Sequence, residues 1–379
     1  MTPRPITDAE GSVYGQTRYA AISGFGPHGQ DANHLAAYLL PLGYRILALA
    51  YSPLGENSDH LLRLPELRPY YNTGCLKLVD CDVRSPSGVR QALRNHDGAW
   101  LDEFYHLAAL SQAGEPLGSE EDLLASDAYQ VNAGGTLNVL EAIAAHAPQA
   151  RVLLAGTSQM FGHAAFDECP QTEKTPMRRC LTVYGETKRR AYEAVIKYGT
   201  RQVSPVWGCT AILYYHKSWL SSEKFMWAKA INGLIYIHSG ERSSPVELGN
   251  LNAEIDFGWP PDYARAMHLI LNQRASAPSE MRDYIVATGE THSVREFVVE
   301  ACRAIWGEDV QVSWEGTGSD EQLLVNHTPV VTVSPDNLRP YREPVFCGDA
   351  TQLRALGWES THTLKQMVEE SVRQALAQW

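Results

Sequence analysis

The sequence predicts an α/β protein built on a Rossmann-type, doubly wound parallel sheet, with a smaller region after it. Three observations predict it. Short apolar runs alternate with longer stretches of 3.6-residue periodicity, a glycine-rich turn directly follows the first run, and the alternation breaks down after Leu213.

Continuous apolar runs suit parallel strands, because helices cover both faces of such a sheet. They fall at Tyr19–Ser23, Arg45–Ala50, Leu76–Asp80, Glu103–Leu107, Arg151–Ala155 and Cys209–Leu213. Helical periodicity lies between them at Ala32–Leu40, Ser85–Asn95, Asn132–His146 and Tyr184–Tyr198. Strands joined by crossover helices put ligands at the carboxyl ends of the strands. Beyond Leu213, Trp219–Glu247 mixes helix and turn signals, a helix pattern opens at Ser293, and Gly, Thr and Pro punctuate Trp314–Arg342. An amphipathic helix is expected over Thr363–Ala377. The expected organisation is a tail over 1–18, a large domain over 19–216 with a returning segment near 250–289, and a second domain from 217–249 and 290–379.

Composition narrows the class. The 379 residues are 44% hydrophobic and 20% charged, with 29 Gly and 21 Pro dispersed along the chain, which excludes disordered, collagenous and coiled-coil proteins. A net charge of −12 without a Lys/Arg block excludes the electrostatic footprint of a nucleic-acid-binding protein. Residues 1–18 carry Asp8 and Glu10 and no apolar core, and no run reaches membrane-spanning length, so the expected location is the cytoplasm with no membrane partner. Seven Cys without CxxC spacing fit neither a disulfide scaffold nor a zinc site. No metal is expected, and most of these cysteines read as small core residues.

The turn reads Gly24-Phe25-Gly26-Pro27-His28-Gly29-Gln30-Asp31-Ala32. It fits GxGxxG on Gly24, Gly26 and Gly29, or GxxGxxA on Gly26, Gly29 and Ala32. Either register lets backbone approach a dinucleotide pyrophosphate at a helix N-terminus. At the end of the second strand, Ala50-Tyr51-Ser52 offers neither an acid for a ribose 2′-OH nor a base for a 2′-phosphate. The missing base favours NAD, with NADP open. Ser52, Asp82 and Val83 are expected along the adenosine edge.

Tyr184 and Lys188 stand four apart on a helical pattern and so share a face. A phenol is a poor base, but a neighbouring ammonium favours the phenolate. Thr157, after the fifth run, could contact the same substrate hydroxyl.

With these residues in order, the chain resembles the extended short-chain dehydrogenase/reductase family, and within it the GDP-mannose 4,6-dehydratases. The resemblance runs through Gly29-Gln30-Asp31-Ala32, Leu107-Ala108-Ala109, Asn132, Gly135-Thr136-Leu137 and Ala155-Gly156-Thr157-Ser158. It continues through Tyr184 with Lys188, His216, Glu223 with Phe225, Leu248-Gly249-Asn250, Asp256-Phe257-Gly258, Ala287-Thr288-Gly289, Ser293-Val294-Arg295, Arg339-Pro340 and Gly348-Asp349.

The resemblance implies transient oxidation at C4 of a GDP-linked sugar. Tyr184 would take the hydroxyl proton, Thr157 orient that hydroxyl, and Lys188 hold the ribose and lower the tyrosine pKa. Leu107, Ala108 and Ala109 would border the cofactor, and Ser158, His216, Lys229, Arg339 and Glu343 the sugar nucleotide. A homodimer or homotetramer is implied. The chain departs from the family at Gln159, where a dehydratase carries the Glu that removes the C5 proton, and at Ile255, Ala228 and Tyr215 near the ligand. An amide is not a general base at neutral pH. The leading expectation is therefore an epimerase. The alternatives are a 4,6-dehydratase using another base, from Glu186, His163, Cys180 or His216, and a non-catalytic dinucleotide-binding sensor.

Overall fold

The computed structural model describes residues 17–51, 58–94, 101–111, 114–339 and 342–377; Ser52, Asn95, Pro340 and the tail before residue 17 lie outside them. Strands β1 (Tyr19–Phe25), β2 (Arg45–Ala50), β3 (Leu76–Asp80), β4 (Glu103–His106), β5 (Arg151–Ala155) and β6 (Trp207–Leu213) match the six apolar runs to within two residues at each end. Four further short strands precede the hairpins at the far end: β7 (Val246–Leu248), β8 (Glu254–Ile255), β9 (Tyr284–Val286) and β10 (His292–Ser293).

The central sheet is wholly parallel in the order β3-β2-β1-β4-β5-β6-β9. Alternate residues of each strand feed two cores, as a pleated strand dictates. Ala20 and Ile22 face the helices Gln30–Leu39 and Pro260–Leu271, whereas Ala21 faces Pro86–Leu93, Gly135–His146 and Val183–Gly199. Strand order reverses between β1 and β4, and in open sheets the crevice at that switch point is where ligands sit.

The smaller region packs helices Met226–Ser239, Val294–Trp306 and Leu364–Ala377 against an antiparallel set, β11 (Val312–Glu315), β12 (Gln322–Val325) and β13 (Thr328–Val333), with β7 added parallel to β13. Its core holds Trp227, Phe257 and Phe297. Helix Val294–Trp306 starts where the sequence says, because Ser293 and Glu296 form a reciprocal capping box. β11 to β13 occupy the stretch expected only as punctuated chain. Their tight turn runs through Asn326 and His327, with φ of 49° and 66°.

The chain crosses back into the first core after leaving it. Helix Pro260–Leu271, β9 and the buried Trp358, whose Nε1 donates to Asp262 O at 2.8 Å, complete that core. Asp256 staples the return: its carboxylate accepts from Thr288 N (2.8 Å), Thr288 Oγ1 (2.6 Å), Gly289 N (3.0 Å) and Gly348 N (3.2 Å). Among the described residues no helix is long and apolar enough to cross a membrane.

Candidate active site

The glycine turn lies at the switch point. Gly24 has φ +102°, and a Cβ there would stand 2.9 Å from Leu107 C. At Gly29 a Cβ would stand 2.4 Å from Gly24 O, whereas at Gly26 nothing lies within 4 Å. Two glycines close the turn and the third leaves its backbone open, ahead of a helix whose N-cap, Gly29, has no side-chain cap. That cradle fits a pyrophosphate.

Ser23 Oγ accepts from Leu107 N (3.1 Å) and Ala108 N (3.2 Å) and pairs with His106 Nδ1 (2.9 Å), fixing the end of β4 beside the turn. Ala109 follows, exposed. Val83 is buried, and its carbonyl accepts from Asn138 Nδ2 at 2.9 Å.

Gln30 turns inward as a strap. Its Oε1 accepts from Ser218 N (2.9 Å) and Ser221 Oγ (2.7 Å), and its Nε2 donates to Asp31 Oδ1 at 2.8 Å. Asp31 lies 3.1 Å from His216 Nε2. Burial alone would raise the Asp31 pKa, but His216 and Lys217 outweigh it and hold the carboxyl well below its usual range. His216 Nδ1 meets Tyr214 O at 2.6 Å and its ring stacks on Tyr263, so both ring nitrogens face the chain's own atoms.

The second strand's edge differs from the sequence expectation. Sequence reading found no base there, but the turn after β3 supplies one. Arg84 Nη2 donates to Tyr51 Oη at 2.9 Å, and the guanidinium lies 4.9 Å from that ring's centroid. Asp82 already holds it through a 2.8 Å ion pair. No signal in strand two could reveal a base supplied from strand three.

Thr157 stands at the end of β5, and Tyr184 and Lys188 on the helix that packs beside it. Helix Val183–Gly199 carries the last two on one face, and its N-cap Thr182 accepts from Gly185 N at 3.0 Å. Thr157 follows β5, and its hydroxyl is close enough to the Tyr184 phenol to act against the rise in its pKa. Lys188, 1% exposed, donates from Nζ to Ala155 O at 2.8 Å. Burial lowers its pKa to about 8, with Asp31 opposing. Lys188 is not among the groups that set the Tyr184 pKa, contrary to the expectation from the resemblance. Burial is the largest influence and raises it, Asp31 raises it further, and the Thr157 hydroxyl opposes.

Gln159 sits two residues past Thr157, its backbone N donating to Thr157 Oγ1 at 3.4 Å. The Thr182 hydroxyl donates to Gln159 Oε1 at 2.7 Å, a partner the sequence reading missed although a Thr just ahead of the helix is an N-cap signal. That bond takes one of the two acceptor sites of the carbonyl and leaves both N–H donors of the amide. Ser158 is buried beside it.

The other candidate bases sit in different surroundings. Glu186 is tied to Arg189 (2.6 Å) and Arg190 (3.1 Å), which outweigh burial and hold its carboxyl below the usual range. Burial pushes the Cys180 thiol up to about 12. His163 is exposed on the run Ser158–Phe166.

In the smaller region, Lys229 lies beside Asn337, and Arg339 beside Glu343. Lys229 Nζ donates to Asn337 Oδ1 at 3.4 Å, and Arg339 Nε pairs with Glu343 Oε1 at 2.6 Å. Burial raises the Glu343 pKa against the opposing Arg339. Tyr215 lies near Arg339, with a buried hydroxyl.

The GDP-mannose 4,6 dehydratase family model matches residues 25–371. A GDP-mannose 4,6 dehydratase of Drosophila melanogaster is 31% identical over 372 residues, covering 97% of this chain and 88% of its own. The GDP-mannose 4,6-dehydratase of Vibrio cholerae serotype O1 is 30% identical over 368 residues, 92% of each chain. Among solved structures, UDP-glucuronic acid 4-epimerase from Bacillus cereus, in complex with UDP-glucuronic acid and NAD, superposes with a TM-score of 0.72. It covers 95% of this chain and 100% of its own at 14% identity, a likeness of fold.

Proposed function

The chain belongs to the GDP-mannose 4,6 dehydratase family, and from that premise we propose that it is an NAD-dependent nucleotide-sugar 4-epimerase acting on a GDP-linked sugar. The observation that carries the reading is Gln159, an amide at the position of the dehydratase base, with its carbonyl held by Thr182. The relatives' names support the GDP linkage and the NAD-bound neighbour supports the cofactor.

The residues present fit the cofactor. The turn from Gly24 to Gln30 would take the pyrophosphate, the end of β4 would line the ring side, and Lys188 would reach the ribose. Bound there, NAD supplies an acceptor for the hydride at the sugar C4 and returns it. Thr157 orients the C4 hydroxyl toward Tyr184, and the phenolic oxygen takes its proton. For a phenol whose pKa burial raises, that transfer needs added positive charge, and Lys188, one helical turn along the same face, is its proposed source. Turning the 4-ketone over between the two steps exposes its other face, and Tyr184 returns the proton to give the epimer. Lys229 and Arg339 would meet the diphosphate, with Glu343 toward the base or ribose. The division into a large dinucleotide-binding domain and a second substrate domain is part of the same proposal.

The test is product analysis with GDP-linked hexoses in deuterated water. The expected product is a C4 epimer that retains its C6 oxygen and carries no deuterium at C5. A 4-keto-6-deoxy product with solvent deuterium at C5 overturns the epimerase reading and identifies another base. Gln159→Glu is expected to gain elimination, because a carboxylate beside Thr157 can accept the C5 proton.

A further inference from the structure

Among the cysteines, five are buried, Cys75 is intermediate and Cys169 is exposed. Cys169 lies beside Cys347 because two distant segments pair in parallel. Gln171 N donates to Cys347 O and Asp349 N to Gln171 O, both at 2.8 Å, and Gln171 Nε2 reaches Val345 O at 3.2 Å. Gln171 is fully buried, and its Oε1 accepts the Tyr214 hydroxyl at 2.9 Å, which pins the pairing in place. Both thiols fall within electrostatic reach of that hydroxyl. Cys347 is 8% exposed, and burial, with Asp256 and the Cys169 thiol beside it, pushes its pKa up to about 12. One thiol is accessible to an oxidant and its neighbour is sheltered, the division of labour of an attacking and a resolving cysteine.

We propose that Cys169 and Cys347 are a modification site, a thiol pair that hydroperoxides convert reversibly to an intramolecular disulfide. The Cys169 thiolate attacks the O–O bond, taking one oxygen as a sulfenic acid and releasing hydroxide or an alkoxide. The Cys347 sulfur then attacks the sulfenic sulfur. The S–S bond forms, the S–O bond breaks, and the Cys347 proton leaves with the departing hydroxide as water. Two thiols lose two electrons and the hydroperoxide gains them. A dithiol reverses the reaction by exchange. The bond ties the segment leaving the Thr157 turn to the segment that carries Glu343 and the Gly348 N–H on Asp256. Nothing in it depends on which sugar the cleft accepts.

The experiment treats the full chain with excess hydrogen peroxide, alkylates remaining thiols after unfolding, and maps peptides by mass spectrometry. The expected result is one crosslink between the Cys169 and Cys347 peptides in most chains, lost on treatment with dithiothreitol, with Cys81, Cys180, Cys209 and Cys302 alkylated. Cys347→Ser is expected to leave Cys169 advancing to sulfinic acid. In Cys169→Ser, an exposed change that spares the core, Cys347 is expected to stay reduced. Sulfinic acid at Cys169 of the unaltered chain with Cys347 free overturns the proposal, as does a link from Cys169 to any other cysteine or to a second copy.

Discussion

The two walls of the cleft are held in different ways. On the sheet side, Thr157 and Lys188 are buried and tied to backbone or to one another's neighbours, with the Lys188 ammonium on Ala155 O. On the other side, Lys229, Arg339 and Glu343 are partly exposed and paired by long side chains to residues of their own region. Proton transfer demands reacting atoms placed to a fraction of an ångström, so its residues need rigid support. Exposed charged side chains contribute about 0–1 kcal/mol each and can be exchanged without unfolding anything. Where the resemblance implies ligand contacts the chain carries Ile255, Ala228 and Tyr215, whereas it keeps Thr157, Tyr184 and Lys188.

The largest effect expected from breaking this contrast is at Tyr184. Tyr184→Phe keeps the ring and removes the proton acceptor, so kcat should fall roughly 10²- to 10⁴-fold while NAD binding by calorimetry stays within about twofold. Activity within a few-fold of the parent would remove Tyr184 from the chemistry.

Lys188 gives the next effect, in stability. Its pKa is lowered to about 8 in the fold and returns to its ordinary value near 10.5 on unfolding. Between these values the unfolded chain binds the additional proton, so stability rises with pH across that window, by at most about 1.4 kcal/mol per pH unit. Below about pH 8 the cost of the buried ammonium is fully present. Denaturant titrations of the cofactor-free protein should show this rise, and Lys188→Met should flatten it.

On the opposite wall, Lys229→Ala with Arg339→Ala should raise KM roughly 10-fold with a smaller change in kcat, the pattern of lost uniform binding. An equal fall in kcat would make that wall part of the chemistry. The smallest effect is expected at Asp82. Asp82→Ala releases Arg84 beside Tyr51 and should move the NAD-to-NADP affinity ratio toward NADP by about threefold to tenfold, because a freed guanidinium can meet a 2′-phosphate.

The sheet was legible in the sequence because its strands are apolar on both faces and separated by long periodic helices. β9 was not, since three residues carry no pattern, and helix Pro260–Leu271 opens on two prolines that read as a break although proline suits a helix's first turn. β11 to β13 are half-exposed, with polar residues and Pro329 among them, and their pairing is set by partners elsewhere in the chain. At the site, the Tyr184 and Lys188 spacing was readable because i,i+4 residues share a helix face. The hold of Thr182 on Gln159 and of Asp82 on Arg84 was not, as both depend on where separate elements land.

The returning segment bears on how the protein is made. The first core closes only when Tyr263, Tyr284, Val286 and Trp358 arrive, long after the strands they cover have been synthesised. During translation, β6 waits with one edge unpaired until β9 emerges, and helix Gln30–Leu39 waits for Pro260–Leu271. Domains made from one unbroken stretch fold as they leave the ribosome, but this one carries an apolar edge until residues 284–358 have emerged. Truncation before Trp358 would leave that core open.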